Sequence, residues 1–245
     1  MILGVMQPYF FPYLGYFDLI HKCDRWIVFD TPQYMREGWV NRNRILHSRQ
    51  GWQYIVVPLK KHSRTTPINQ VEAVDFPDWR RKIVNQFTDY RGRAPYYRET
   101  IALLEESLAG DEHNLSRINI KCLGNICRFL GIKWAPEIFS AMDMRLGCIE
   151  DTAEWPLRIS EAAGATDYLN PPGGAALYNP DRFARRGIQL HIQQDFNFEY
   201  ECRGWSFQPK MSVLDALMWA SPSEIKAYLD RTKSSWLQAL AVTCA

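Results

Sequence analysis

One turn governs what this chain can fold into: Gln7-Pro8-Tyr9-Phe10-Phe11-Pro12, set between an apolar run at 2–6 and helical spacing that begins at 13. Neither a strand nor a helix passes through it, because each proline removes a backbone donor and drives the residue before it towards extended geometry. The run at 2–6 shows no polar alternation, as expected of a strand covered on both faces. Leu14, Phe17 and Ile20, with Tyr13 and His21, fall on one face and predict a helix over about 13–22. A second buried strand is predicted at 26–29, ending at Asp30. Strand, tight loop, helix and strand make a βαβ unit with a right-handed crossover. Ligands of such sheets bind beyond the carboxyl ends of the strands, so 7–16 and 30–34 are expected to face one cleft.

Further along, Asn41 and Asn43 alternate with Arg42 and Arg44, which in an extended segment puts the amides on one side and the guanidiniums on the other. One pair then faces the cleft; the alternative is a polar surface strand. A strand at 52–59 is followed by Lys60-Lys61-His62, either a phosphate-docking cluster at its carboxyl end or a solvated loop. Another strand is read at 68–74. From 78 to 131 the texture is helical, with starts at Pro77 or Asp78, at Pro95 and at Asn114, and this reads as a helical layer or lid. A strand at 134–142, a helix at 150–163 and a short buried strand at 166–169 lead to Asn170-Pro171-Pro172-Gly173-Gly174. Those glycines permit positive φ and uncovered N–H groups, which suits close approach of a ligand, or simply a tight turn. His191 sits in an alternating strand at 188–193 and reads as a packed or edge residue rather than a base. Ser212 and Asp215 look like a helix cap, ahead of helices at 211–220 and 222–229. The expected organisation is a single α/β domain over 1–231, with a mostly parallel sheet of about five strands and a helical subdomain at about 78–131, then a tail at 232–245.

With 47% hydrophobic and 23% charged residues the chain can bury a core, and its net charge of +2 provides no bulk field to recruit DNA or an anionic membrane. No apolar run is long enough to span a bilayer and no signal-peptide pattern opens the chain, so the expected compartment is the cytoplasm. Cysteines at 23, 122, 127, 148, 202 and 244 make neither C-x-x-C nor zinc-like spacing; free thiols and no metal site are expected.

Several stretches carry a resemblance over nearly the whole length. QPYFFPYLGYF, VFDTPQY, GWVNRNRI, PLKK, the Trp79-Arg80 pair, APYY, GATDYLNPPGG and FQPKMSVLDAL occur in the order found in the WbqC-like family of bacterial proteins, which this chain resembles closely. The resemblance implies a setting among genes for O-antigen and other surface polysaccharides, with related members near natural-product clusters. It also implies transfer of an acyl or aminoacyl group onto an amino sugar or similar small amine. A second likeness, to the layout of nucleotidylyltransferases, departs at Tyr13-Leu14-Gly15-Tyr16, which stands where H-x-G-H would; a phenol lacks the cationic donor of an imidazolium.

The expected site is a cleft built from Gln7, Tyr9, Tyr13 and Tyr16, then Asp30 and Gln33, Asn41 and Arg42, Lys60, and opposite them Asn170, Gly173, Gly174 and Tyr178. Aromatic faces suit a sugar ring or a base, amides suit hydroxyls, and the cations suit a phosphate. Asp30 and Tyr16 are the catalytic candidates, Asp30 as general base through a pKa raised in an apolar cleft. Cys23 lies at the helix end that disfavours a thiolate. Three functions compete: a transferase acting on a nucleotide-linked sugar, with a carrier-linked or tRNA-linked acyl donor; an ATP-dependent nucleotidylyltransferase or ligase-like enzyme; and a noncatalytic accessory binding a carrier or partner protein. No cofactor is assigned by the sequence.

Overall fold

In the computed structural model, which describes residues 1–75 and 78–243, the first apolar run is strand β1 (Ile2–Met6). Helix α1 (Leu14–Lys22) and strand β2 (Arg25–Val28) complete the βαβ unit, with Val5 opposite Ile27 in parallel register. Gly4 permits this packing, since a Cβ there would stand 2.5 Å from the Trp26 ring. An antiparallel hairpin of β3 (Arg42–His47) and β4 (Gly51–Val56) follows, then helices α2 (Asp78–Asn85), α3 (Tyr97–Leu108) and α4 (Leu115–Phe129). The chain returns through β5 (Pro136–Ile138), α5 (Glu154–Ala162), β6 (Asp167–Asn170), α6 (Pro180–Ala184) and β7 (Gln189–Ile192). Helices α7 (Val213–Trp219) and α8 (Pro222–Thr243) come after them.

The fold is α/β, with a five-stranded parallel sheet in the order β5-β2-β1-β6-β7. Leu3, Val5 and Ile27 are buried in one cluster with Leu157 and Ile159 of α5, while Trp26 and Val28 join Phe17 and Ile20 of α1 in another. The run without alternation is therefore a strand covered on both faces. From β1 the chain moves to β2 on one side, and after β5 it crosses to β6 on the other. The crevice beyond β1 and β6 is thus the switch point at which open parallel sheets take ligands.

Three expectations are corrected. The strand read at 52–59 is β4, paired with β3 outside the parallel sheet; Ile45, Ile55 and Val57 are fully buried, and His47 Nδ1 accepts from the N–H groups of Arg49 and Gln50 in the connecting turn. The segment at 68–74 forms a single 3-10 turn (Ile68–Gln70), because the Ile68 and Asn69 amides donate to Pro32 and Asp30 carbonyls rather than to a neighbouring strand. The stretch expected to be a tail is helical as far as Thr243. It docks because Thr232 bonds Asp18, Lys233 bonds the His21 carbonyl, and Trp236 meets the His191 ring edge to face. His191 is a packed residue, 2.7 Å from Asp167. Pro77 and Cys244 lie outside the described residues, and among those residues no helix is long and apolar enough to cross a membrane.

Helix α7 is fastened through its buried Asp215, which accepts hydrogen bonds from the Tyr90 and Tyr200 hydroxyls and from the Leu46 amide. Burial outweighs these donors and pushes the Asp215 carboxyl up to about 6. A carboxyl held above its unfolded value stabilises the native state fully below about 3.8 and loses that contribution as pH rises through about 6. Between those limits wild-type stability should fall with rising pH relative to Asp215→Asn, by at most about 1.4 kcal/mol per pH unit in urea titrations. Parallel pH profiles for the two proteins would refute this.

Candidate functional site

A cavity of about 920 Å³ opens at the switch point, bounded by the ends of β1, β2 and β6. The first loop reaches it with its carbonyls turned inward and held by buried side chains. Asn43 Nδ2 donates to the Phe10 and Phe11 carbonyls at 3.1 and 2.9 Å, Ser212 Oγ to Phe11 at 2.8 Å, and Asn119 Nδ2 to Pro8 at 2.8 Å. Phe10 and Phe11 are fully buried anchors, and Phe11 holds φ 40°, a left-handed conformation that a bulky residue keeps only when its surroundings impose it. Gln7, Tyr9 and Tyr13 are left on the cavity side. Gly15 belongs to this device: a Cβ there would stand 2.3 Å from the Tyr13 ring, which folds back over the first turn of α1. Burial, with help from Asp18 and Asp195, pushes the Tyr13 hydroxyl up to about 12.

Tyr16 lines the cavity through its ring, but its hydroxyl donates to the Gln7 carbonyl at 2.8 Å. Complete burial holds its pKa well above the ordinary value, so it is a neutral strut of the loop rather than a proton carrier. Opposite, Asn170 is pinned by the Tyr168 hydroxyl and by its own bond to the Pro171 carbonyl. The glycine loop is a 3-10 turn (Pro172–Leu177), and neither Gly173 nor Gly174 has positive φ. Gly174 is required for a different reason, since a Cβ would lie 2.1 Å from Asn170 Nδ2, and its N–H is taken by the Pro171 carbonyl. Gly173, Gly174, Tyr178 and Gln33 all border the cavity.

Four expected residues lie elsewhere. Asp30 is 2% exposed, and its two oxygens accept from the Ser140 amide (3.0 Å) and hydroxyl (2.6 Å), so it ties the ends of β2 and β5 together and is not free to act as a base. Asn41 is spent between the Tyr34 hydroxyl and the Val57 carbonyl. Arg42 lies over the Tyr54 ring at 4.3 Å and donates to the Glu37 carbonyl. Lys60 pairs with Glu72 and Asp75, because β4 does not lead to the cavity. Cys23 is not on the cavity wall, and burial pushes its thiol up.

Among the described residues lining the cavity, the two that carry charge are Arg44 and Lys210, both cationic; no carboxylate or histidine borders it. Arg44 sits between Trp39 and Trp52, 5.5 and 5.3 Å from their ring centroids, and its buried Nε has no hydrogen-bond partner. Lys210 holds φ 58°, and its ammonium stands 3.8 Å from Asp195. Trp39 and Trp155 supply further aromatic wall. Arg44 belongs to the same alternation as Arg42, so the pattern contained it; Lys210 was signalled only by its place after Pro209 in FQPKM. The arrangement can hold a flat or ring-bearing ligand against aromatic faces, orient its hydroxyls with amides, and neutralise an anion with two cations.

The model of the WbqC-like protein family matches residues 7–227. The chain is 29% identical over 217 residues to the uncharacterized protein Rv1507c of Mycobacterium tuberculosis, a match covering 88% of this chain and 92% of that protein. No solved structure matches significantly. The matched span runs from the first residue of the proline-bracketed turn into α8 and includes both walls of the cavity. This chain belongs to the WbqC-like protein family.

Proposed function

We propose that the protein is a group transferase of a bacterial biosynthetic pathway, for a surface polysaccharide or a natural product, that binds a nucleotide-linked amino sugar or similar small amine and acylates or aminoacylates its nitrogen. The observation that carries this reading is that Arg44 and Lys210 both line an aromatic, amide-lined cavity bordered by no carboxylate among the described residues. Such a lining attracts a diphosphate and repels nothing anionic. The donor is an activated acyl group, a carrier-linked thioester or a tRNA-linked ester. The amine forms the new C–N bond, the C–S or C–O bond breaks with its electron pair on the leaving sulfur or oxygen, and the proton shed by nitrogen ends on that leaving group. Neutral phenols such as Tyr9 and Tyr13, whose pKa values burial raises, serve as hydrogen-bond donors in this step rather than as bases.

A thermal-shift panel tests the binding half. UDP- and dTDP-linked amino sugars should raise the midpoint, since a ligand at about a hundred times its Kd stabilises by about 2.7 kcal/mol, while free amino acids should leave it unmoved. A rise with ATP and magnesium alone would favour an adenylating enzyme, and no rise with any of these would favour a noncatalytic accessory.

A further inference from the structure

A second cavity of about 290 Å³ adjoins the first, and Tyr13 and Lys210 line both. Its walls are aromatic and fixed from outside. Phe196 and Phe198 each pack on Tyr228 of α8 at ring distances of 5.3 and 5.1 Å. Tyr200 meets Phe207 edge to face at 5.0 Å while its hydroxyl is held by Asp215. The chamber therefore exists before any ligand arrives. At its edge is Asp195, the one carboxylate among the described residues lining either cavity. Its side chain is 83% exposed and has Lys210 at 3.8 Å, beyond good hydrogen-bond length, so its oxygens remain available.

Aromatic faces around a single carboxylate recognise an organic ammonium, through the ring quadrupoles and a charge-assisted hydrogen bond. A phosphate would be repelled from Asp195 and drawn across the shared wall to Arg44. The larger cavity thus carries two cations, whereas in the smaller one the shared Lys210 is balanced by a carboxylate. We propose that the smaller cavity is an amine-recognition site, in which Asp195 holds the ammonium of a ring-bearing primary amine against the Phe196, Phe198 and Phe207 faces. This rests on the proposed function only in assigning that amine to the same ligand whose phosphates occupy the larger cavity. The bound ammonium first releases one proton to solvent; the freed lone pair then attacks the acyl carbon of the ester or thioester donor, and the second proton shed by nitrogen as the C–O or C–S bond breaks passes by way of Asp195 to the departing oxygen or sulfur.

The test uses small probes at neutral pH. Glucosamine and cyclohexylamine, with glucose and cyclohexanol as uncharged counterparts, are titrated into the purified protein and followed by NMR, and UDP is titrated separately into the wild type. The amines should bind about two- to fivefold more tightly than their neutral counterparts, and Asp195→Asn should remove that preference, as expected for an ion pair made by an exposed carboxylate. Asp195 is exposed, so this variant keeps its fold; Phe198→Ala should weaken amine and neutral probes alike. Equal binding of cyclohexylamine and cyclohexanol, or an Asp195→Asn protein that still prefers amines, would overturn the site. Absence of UDP binding with the amine preference intact would instead count against the diphosphate reading of the larger cavity.

Discussion

Asp18→Ala should lower the unfolding free energy by about 3–5 kcal/mol, the range found when one partner of a buried ion pair is removed. Asp18 is fully buried in α1 and accepts from Lys22 Nζ at 2.5 Å, from Gln193 Nε2 at 2.6 Å and from Thr232 Oγ1 at 2.5 Å. Those donors come from α1, from the end of β7 and from α8, so one carboxylate joins three elements. Removing it leaves the charge of the buried Lys22 without its counter-charge. Gln193 also donates to the Gly15 carbonyl at 2.9 Å, which carries the disturbance to the glycine beneath Tyr13. Urea unfolding reads the loss, and early proteolysis within 232–243 should accompany it. The double variant Asp18→Leu with Lys22→Leu should recover most of the stability, because apolar replacement of a buried pair is often neutral. A single variant within about 1 kcal/mol of wild type would mean that the network contributes nothing net.

What could be read without the structure was local. The first βαβ unit declared itself through consecutive signals, a run without alternation, a proline-bracketed turn and helical spacing, and all three elements are present. The first loop and the 170–178 segment were placed on one cleft because both follow strands of that sheet, and both border the cavity. What failed depended on partners distant in sequence. Asp30 looked like a base at a cleft mouth, yet Ser140, separated from it by 110 positions, occupies both its oxygens. Lys60 looked like a phosphate group's partner because local alternation does not say which sheet a strand joins; β4 pairs with β3, and Lys60 turns to Glu72 and Asp75. Gly173 and Gly174 suggested open backbone, whereas the Asn170 amide pressed against Gly174 explains the missing side chain. The place of H-x-G-H is held by residues with structural tasks of their own. Gly15 makes room for the Tyr13 ring, and Tyr16 hangs the Gln7 carbonyl.

Arg44→Ala should weaken binding of a nucleotide diphosphate by about 10- to 100-fold, the loss expected when a charge-assisted partner worth about 1.5–3 kcal/mol is removed, whereas Arg42→Ala should leave that binding unchanged. The alternation at 41–44 makes the two arginines equivalent in sequence, and what separates them is their surroundings. Arg42 spends its guanidinium on the Tyr54 ring and the Glu37 carbonyl, while Arg44 stands between two indoles on the cavity wall with its Nε unpaired. The indoles fix the plane of the guanidinium, so its fork meets a phosphate already oriented. Arg44→Lys keeps the charge but loses that plane, and should recover only part of the affinity. Loss of two cation–π contacts should also lower the stability of Arg44→Ala by about 1–2 kcal/mol, so affinity must be measured by titration well below the midpoint of unfolding. Raising the salt concentration should weaken wild-type binding more than that of Arg44→Ala, because the removed charge no longer contributes. Equal losses in Arg42→Ala and Arg44→Ala would point to a general field of the hairpin, and an unchanged Arg44→Ala would remove the diphosphate from this cavity.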